Sequence, residues 1–232
     1  MTELQSKNNS IEKYSKFSDV NAVLKKAGEL LSKIEAEYKK SLTKQTISDE
    51  LLVEIKDFFG NLRSSLDYLR GKVSKFNFPV CKTEQEFENS TTDLSQELKN
   101  VIKKWQPFNG NQWLATFNTL NNKSKHITLI PQKRRETTQT RVTHPNGDGV
   151  SWTQGVTFGS GVSVMGVPID PQTQMPILNN IVKTEKITWV NFDFDNSQIS
   201  ELPANISALP FMKDCFAKIC ELIGEMEALI SE

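Results

Sequence analysis

Between residues 17 and 42, Val20, Val23, Leu24, Ala27, Leu30, Leu31, Ile34, Tyr38 and Leu42 recur at steps that keep them on one side of a helix, with Lys and Glu between them. The pattern predicts an amphipathic helix. Thr46 or Ser48 offers an N-cap to a second helix, and Asp49 and Glu50 fall in its first turn, where the helix dipole favours acids. Leu51, Ile55, Phe58, Leu62, Leu66, Leu69 and Val73 then mix steps of four and three, a seam meant for another helix. A connection of a few residues makes the two helices antiparallel neighbours. Pro79 disfavours the α region at Phe78, so this helix is expected to stop near Lys75 and "FNFPV" (76–80) to run extended.

Thr83, Gln85, Glu86 and Phe87 read as the start of a short helix. Leu94, Leu98, Val101, Ile102 and Trp105 read as the apolar face of another, ended by Pro107 and "FNG". The stretch 111–126, with Trp113, Leu114, Phe117 and Leu120 on one face, predicts a further helix. After His126 the texture changes to Thr, Val, Gly and aromatics at period two. "RRETTQTRV", "VSWTQGVTFG", "SGVSVMGV" and "KTEKITWVNFDF" read as four strands, with a hairpin turn at "HPNGDG" (144–149). The first strand is polar on both faces, which suits an edge. Trp152, Phe158, Trp189, Phe192 and Phe194 read as core packed on the helices rather than as a base-stacking platform. Leu209, Phe211, Met212, Phe216, Ile219, Ile223, Met226 and Ile230 describe a C-terminal helix that returns to the bundle. The expected fold class is α+β: an antiparallel helical bundle with a small antiparallel β-sheet inserted before the C-terminal helix. The expected organisation is a tail at 1–10, the bundle at 11–126, the inserted sheet at 127–196, and a loop and final helix at 197–232.

Composition changes this picture little. Hydrophobic residues make up 37% of the 232 and charged residues 24%, enough for a packed core. Lys+Arg and Asp+Glu are both 28, so net charge points to no partner. Locally, Lys123, Lys125, Lys133, Arg134, Arg135 and Arg141 crowd residues 123–141 against the single acid Glu136. Such a run attracts phosphates or is simply a solvated face. The polar N-terminus has no signal-peptide character, no apolar run approaches a membrane span, and Cys81, Cys215 and Cys220 have no metal-ligand spacing. These features read as a cytoplasmic protein with no membrane partner and no cofactor.

Two polar groups carry candidate chemistry. Arg63 and Asp67 are four residues apart beside the Leu62/Leu66 seam, and Asn61 lies within two turns of them; the plain reading is an exposed or half-buried ion pair. "LNNKSKH" closes the 111–126 helix with Asn121, Lys125 and His126. Its plain reading is a set of cations favoured at a helix C-terminus.

"GNLRSSLDYL", then "FPV" and "EQEF", then "LNNKSKH", resembles in this order a widespread uncharacterised bacterial family. Its members carry Asn-Leu-Arg-Ser-x-Leu-Asp-His-Leu, a Phe-Pro segment, and Leu-Asn-x-x-Asp-Lys-His-Arg. The resemblance covers about residues 50 to 130. Asn61, Leu62, Arg63, Ser64, Leu66, Asp67, Leu69, Asn121, Lys125 and His126 match. Tyr68 stands in place of the family's helix histidine, Ser124 of the acid before Lys125, and Ile127 of the final arginine. The family's Arg-x4-His spacing is similar to that of HEPN domains, helical bundles that act as metal-independent ribonucleases or nucleotide-binding modules, commonly as homodimers. The resemblance implies an arginine on a phosphate and a histidine as general acid or base, with RNA or a nucleotide as partner.

Three readings follow. In the first, a non-catalytic module binds RNA, a nucleotide or another phosphate-bearing partner through Asn61, Asp67, Tyr68 and Asn121 together with the cations. In the second, a HEPN-like ribonuclease uses Arg63, Lys125 and His126. In the third, the cluster is a hydrogen-bonded network that holds helices together. Tyr68, with a phenol that ordinarily ionises near pH 10, is a poor base and weighs against the second.

Overall fold

The computed structural model describes residues 16–44, 46–153, 155–177, 182–197, 199 and 201–231. The tail expected at 1–10 lies outside them. The architecture is mixed α+β, with six α-helices and two small antiparallel sheets among the described residues.

Helices α1 (Ser18–Lys44) and α2 (Asp49–Gly71) form the antiparallel pair that their apolar seams demand. Ser48 caps α2, its Oγ accepting from the Leu51 amide at 3.2 Å. The α2 seam residues Leu51, Ile55, Phe58, Leu62, Leu66 and Leu69 are all buried. The helix stops at Gly71, short of the expected Lys75. Its last turn closes early, through Lys72 N–H to Leu69 O and Val73 N–H to Arg70 O, both 3.1 Å. Helix α3 (Glu84–Ser90) opens with a reciprocal cap between Thr83 and Glu86. It is followed by α4 (Gln96–Lys104), a 3-10 turn at Pro107–Asn109, and α5 (Gln112–His126). Helix α6 (Ala208–Ser231) returns against α1, α2, α4 and α5, burying Met212, Cys215, Ile219, Leu222, Ile223 and Met226.

Strands β1 (Gln132–Thr143), β2 (Gly149–Thr153) and β6 (Lys183–Phe194) make one sheet in the order β2-β1-β6. The strand expected at an edge is therefore central. Its two-sided polarity has a different cause: much of β1 and β6 is a ribbon wet on both faces, and Thr138 and Thr188 share a hydroxyl hydrogen bond across it. The "HPNGDG" turn forms, with His144 N–H on Asp148 O at 2.8 Å and Gly147 N–H on His144 O at 2.9 Å. The second expected strand ends at Thr153, and Gly155 has φ 105, outside the extended region. The third, "SGVSVMGV", is not one strand. It folds into the tight hairpin of β3 (Ser163–Val164) and β4 (Val167–Asp170), because Met165 and Gly166 both take positive φ, as a two-residue I′ turn requires. β5 (Met175–Pro176) completes the second sheet, in the order β3-β4-β5.

Of the strand aromatics, Phe192 and Phe194 join the helical core, with Phe194 6.0 Å from Phe59 and Phe192 5.9 Å from Tyr38 between ring centroids. Trp152 and Phe158 pack on each other at 5.1 Å instead, and Trp189 is exposed. At the root of the sheet, buried Asp193 holds Arg135 at 2.8 Å and accepts from Ser207 Oγ at 3.0 Å, while Arg135 also donates to Ser207 at 2.9 Å. This triad ties β1 and β6 to the start of α6. No helix among the described residues is long and apolar enough to cross a membrane.

Candidate functional site

Helical geometry decides which polar residues meet. On α2, Asp57, Gly60, Asn61, Ser64 and Asp67 lie at spacings of three and four and share a face beside the buried Leu62/Leu66 seam. On α5, Asn118, Asn121, Asn122 and Lys125 do the same beside buried Leu114, Phe117 and Leu120. The two faces meet over two adjoining open hollows. The first, about 270 Å³, is lined by residues that include Lys56, Asn61, Arg63, Ser64, Asn121 and Lys125. The second, about 390 Å³, brings together Asn77, Asn118, Asn121, Asn122, Lys125 and His126. Arg63, Asp67, Asn121 and Lys125 border both.

Arg63 is a clamp. Its Nε donates to Asp67 Oδ2 at 3.1 Å, and its Nη2 lies 3.0 Å from Asp67 Oδ1. Nη2 also donates to the Phe78 carbonyl at 2.8 Å, and Nη1 to Asn118 Oδ1 at 3.3 Å. Asp67 Oδ1 in turn accepts the Phe78 amide at 2.9 Å. One i,i+4 pair on α2 thus holds both backbone polar groups of Phe78 and reaches across to α5. This fastens the extended "FNFPV" segment, whose Phe78 side chain is buried. Behind it, fully buried Gln106 accepts from the Cys81 amide at 2.9 Å and donates to the Pro79 carbonyl at 3.1 Å. Sequence reasoning passed over Gln106, Asn118 and Asn77. Asn118 could have been found, since it lies three and seven residues before Asn121 and Lys125; Gln106 follows a helix end and carries no periodic signal.

The charges in the groove largely cancel. Arg63 faces Asp67, and Lys56 lies 3.6 Å from Asp57. Lys125 is exposed and, among the described residues, makes no ion pair or side-chain hydrogen bond. It is thus the groove's uncompensated cation. His126 is exposed in the second hollow, with no described side chain orienting its ring. Asn121 is 3% exposed and donates to Asn122 Oδ1 at 3.3 Å, while Asn61 folds back onto the Asp57 carbonyl at 2.7 Å. Tyr68 does not join them. One residue beyond Asp67 turns a side chain by about 100°, and Tyr68 stands 47% exposed outside the lining of both hollows. Ser124 is buried and donates to the Asn121 carbonyl at 3.0 Å, and Ile127 is exposed.

The basic run of 123–141 is dispersed by the fold: Arg134 pairs with Glu136, Arg135 with Asp193, and Arg141 sits opposite Glu185. No group of three or more His, Cys, Asp or Glu among the described residues is placed to hold a metal ion. Among the described residues the groove offers one free cation, a histidine and a wall of carboxamides, each of which both donates and accepts hydrogen bonds. Compared with protein-family models, curated proteins and solved structures, the chain matches none of them.

Proposed function

We propose that the chain is a HEPN-like, non-catalytic binding module that takes a small phosphate-bearing ligand, a nucleotide or the end of an RNA strand, in the groove between α2 and α5. The observation that carries this reading is the uncompensated Lys125 at the junction of two open hollows rich in asparagine. One phosphate on Lys125 would leave the carboxamides of Asn77, Asn118 and Asn122 to read a sugar or base by hydrogen bonding. The cancelled charges elsewhere in the groove favour a ligand with few phosphates over a long polyanion.

The ribonuclease reading through Arg63, Lys125 and His126 draws less support. All three nitrogens of the Arg63 guanidinium group are engaged by protein atoms, and a general base works best when a third group orients it. The deciding experiment titrates the protein with nucleoside monophosphates and a short single-stranded RNA in EDTA across a salt series. Binding should depend on salt with a slope of about −0.7 for the single phosphate engaged. It should be lost in Lys125→Ala, with the RNA left intact. No binding by either ligand, or binding indifferent to Lys125, refutes the proposal; cleavage lost in His126→Ala would restore the nuclease.

A further inference from the structure

We propose that the chain forms a two-fold symmetric dimer by pairing strand β6 antiparallel with β6 of a second copy. The inference rests on the sheet alone and is independent of the groove.

Among the described residues β6 pairs only with β1, so its other edge is open along most of its length. Which backbone groups point outward is fixed by two bonds at the end of the strand. The Asp195 amide donates inward to Pro131 O, and the Phe194 amide donates outward to Ile206 O, both at 2.9 Å. Alternation then directs the N–H and C=O groups of Thr184, Lys186, Thr188, Val190 and Phe192 to the open edge. The Ile206–Ser207 segment already covers the edge at Asp193 and Phe194. Ala208, which opens α6, continues that segment beside Phe192, itself 4% exposed, so the free stretch runs from Thr184 to Val190.

A two-fold axis at Thr188 pairs the stretch from Lys186 to Val190 with itself. Lys186 meets Val190 of the second copy, and Thr188 meets Thr188, for about six new backbone hydrogen bonds. The same register sets Ile187 against Trp189 of the second copy, twice. These fall at the non-hydrogen-bonded positions, where cross-strand side chains approach most closely. Ile187 and Trp189 are 42% and 36% exposed on the same face of β6, where the β1–β6 ribbon alone gives them little cover. Neighbouring registers fit worse. An axis at Trp189 opposes Glu185 to Asp193, one at Ile187 puts Glu185 against Trp189, and one at Lys186 brings two lysines face to face. The occupant that this edge matches is its own copy.

The test is the mass of the full chain in solution by sedimentation equilibrium, run beside Thr188→Pro. The Thr188 amide points away from β1, so proline removes no backbone hydrogen bond from the monomer's own sheet, only the exposed Thr138–Thr188 hydroxyl contact. Wild type should be a dimer, and Thr188→Pro should raise the dimer dissociation constant by about tenfold or more, because a bond is lost on each side of the axis. Mild oxidation of Thr188→Cys should give a covalent dimer, while Ile187→Cys, which faces Trp189 rather than itself, should not. This pair decides the matter even if the proline variant fails to fold. A monomeric wild type, or a dimer that survives Thr188→Pro and cross-links no better through position 188 than through 187, overturns the proposal.

Discussion

Replacing Arg63 with alanine separates architecture from recognition in the groove. The substitution leaves the Phe78 carbonyl and Asn118 Oδ1 without their donor, and Asp67 with only the Phe78 amide. The Arg63 and Asp67 side chains are 17% and 26% exposed, so water replaces part of what is lost. The cost should fall below the 3–5 kcal/mol of breaking a fully buried pair, at about 2–4 kcal/mol. For a chain of this length that lowers the melting temperature by about 5–15 °C. Lys125→Ala removes an exposed, unpartnered side chain and should change stability by about 0.5 kcal/mol at most. Thermal melts followed by circular dichroism, with urea titrations for the free energies, read both variants. Hydrogen exchange at the Phe78 amide adds a local check, since that proton should exchange faster in Arg63→Ala. If Arg63→Ala melts with Lys125→Ala and the Phe78 amide keeps its protection, the clamp does not hold the segment and the division drawn here is wrong.

Two other contacts make separate predictions. Burial pushes the Asp93 carboxyl up, but hydrogen bonds from Ser74 and Arg70 outweigh it and hold the group below its ordinary 3.8. Its folded value is depressed, so its stabilisation is present above the unfolded value and is lost as pH falls through the folded one. Acid titration of stability should therefore be shallower below about pH 4 in Asp93→Asn than in wild type, with a loss at neutral pH of about 1–3 kcal/mol because fully buried Arg70 keeps a weaker partner. Gln106→Ala should cost about 2–4 kcal/mol by stranding the Cys81 amide and the Pro79 carbonyl. It should also loosen the 78–81 segment, read as faster exchange of the Cys81 amide.

Much of the helical part was legible because apolar period and capping chemistry are local. The α2 seam, the Ser48 cap and the "HPNGDG" turn each need only a few neighbouring residues to be understood. Strand order is not local. β1 carries Thr, Gln and Arg where a central strand normally carries Val and Ile, and only its partners reveal why. The Met165–Gly166 turn was missed because methionine rarely takes positive φ, so the stretch scans as a continuous strand. In the site, periodicity placed Asn61 and Asp67 on one helix and Asn121 and Lys125 on another; only the fold shows that the two faces meet. Periodicity could not show that Arg63 would turn to the backbone of Phe78, fifteen residues along the chain, nor that Tyr68 falls on the other side of the helix turn.

The groove therefore does two jobs, and the division between its walls follows from burial. Arg63 and Asp67 satisfy each other and Phe78, and in doing so leave almost no net charge at the centre of the groove. Lys125 and His126 sit at the last turn of α5, exposed and, among the described residues, unpaired, where a ligand meets them without first breaking described protein contacts. A ligand that depended on Arg63 would have to take it from Phe78 and free the "FNFPV" segment, at a cost near the whole 2–4 kcal/mol of the clamp. One that uses Lys125 and the asparagines incurs no such cost. Recognition at this groove is therefore expected to lie on its α5 side, with α2 as the rigid wall against which it is made.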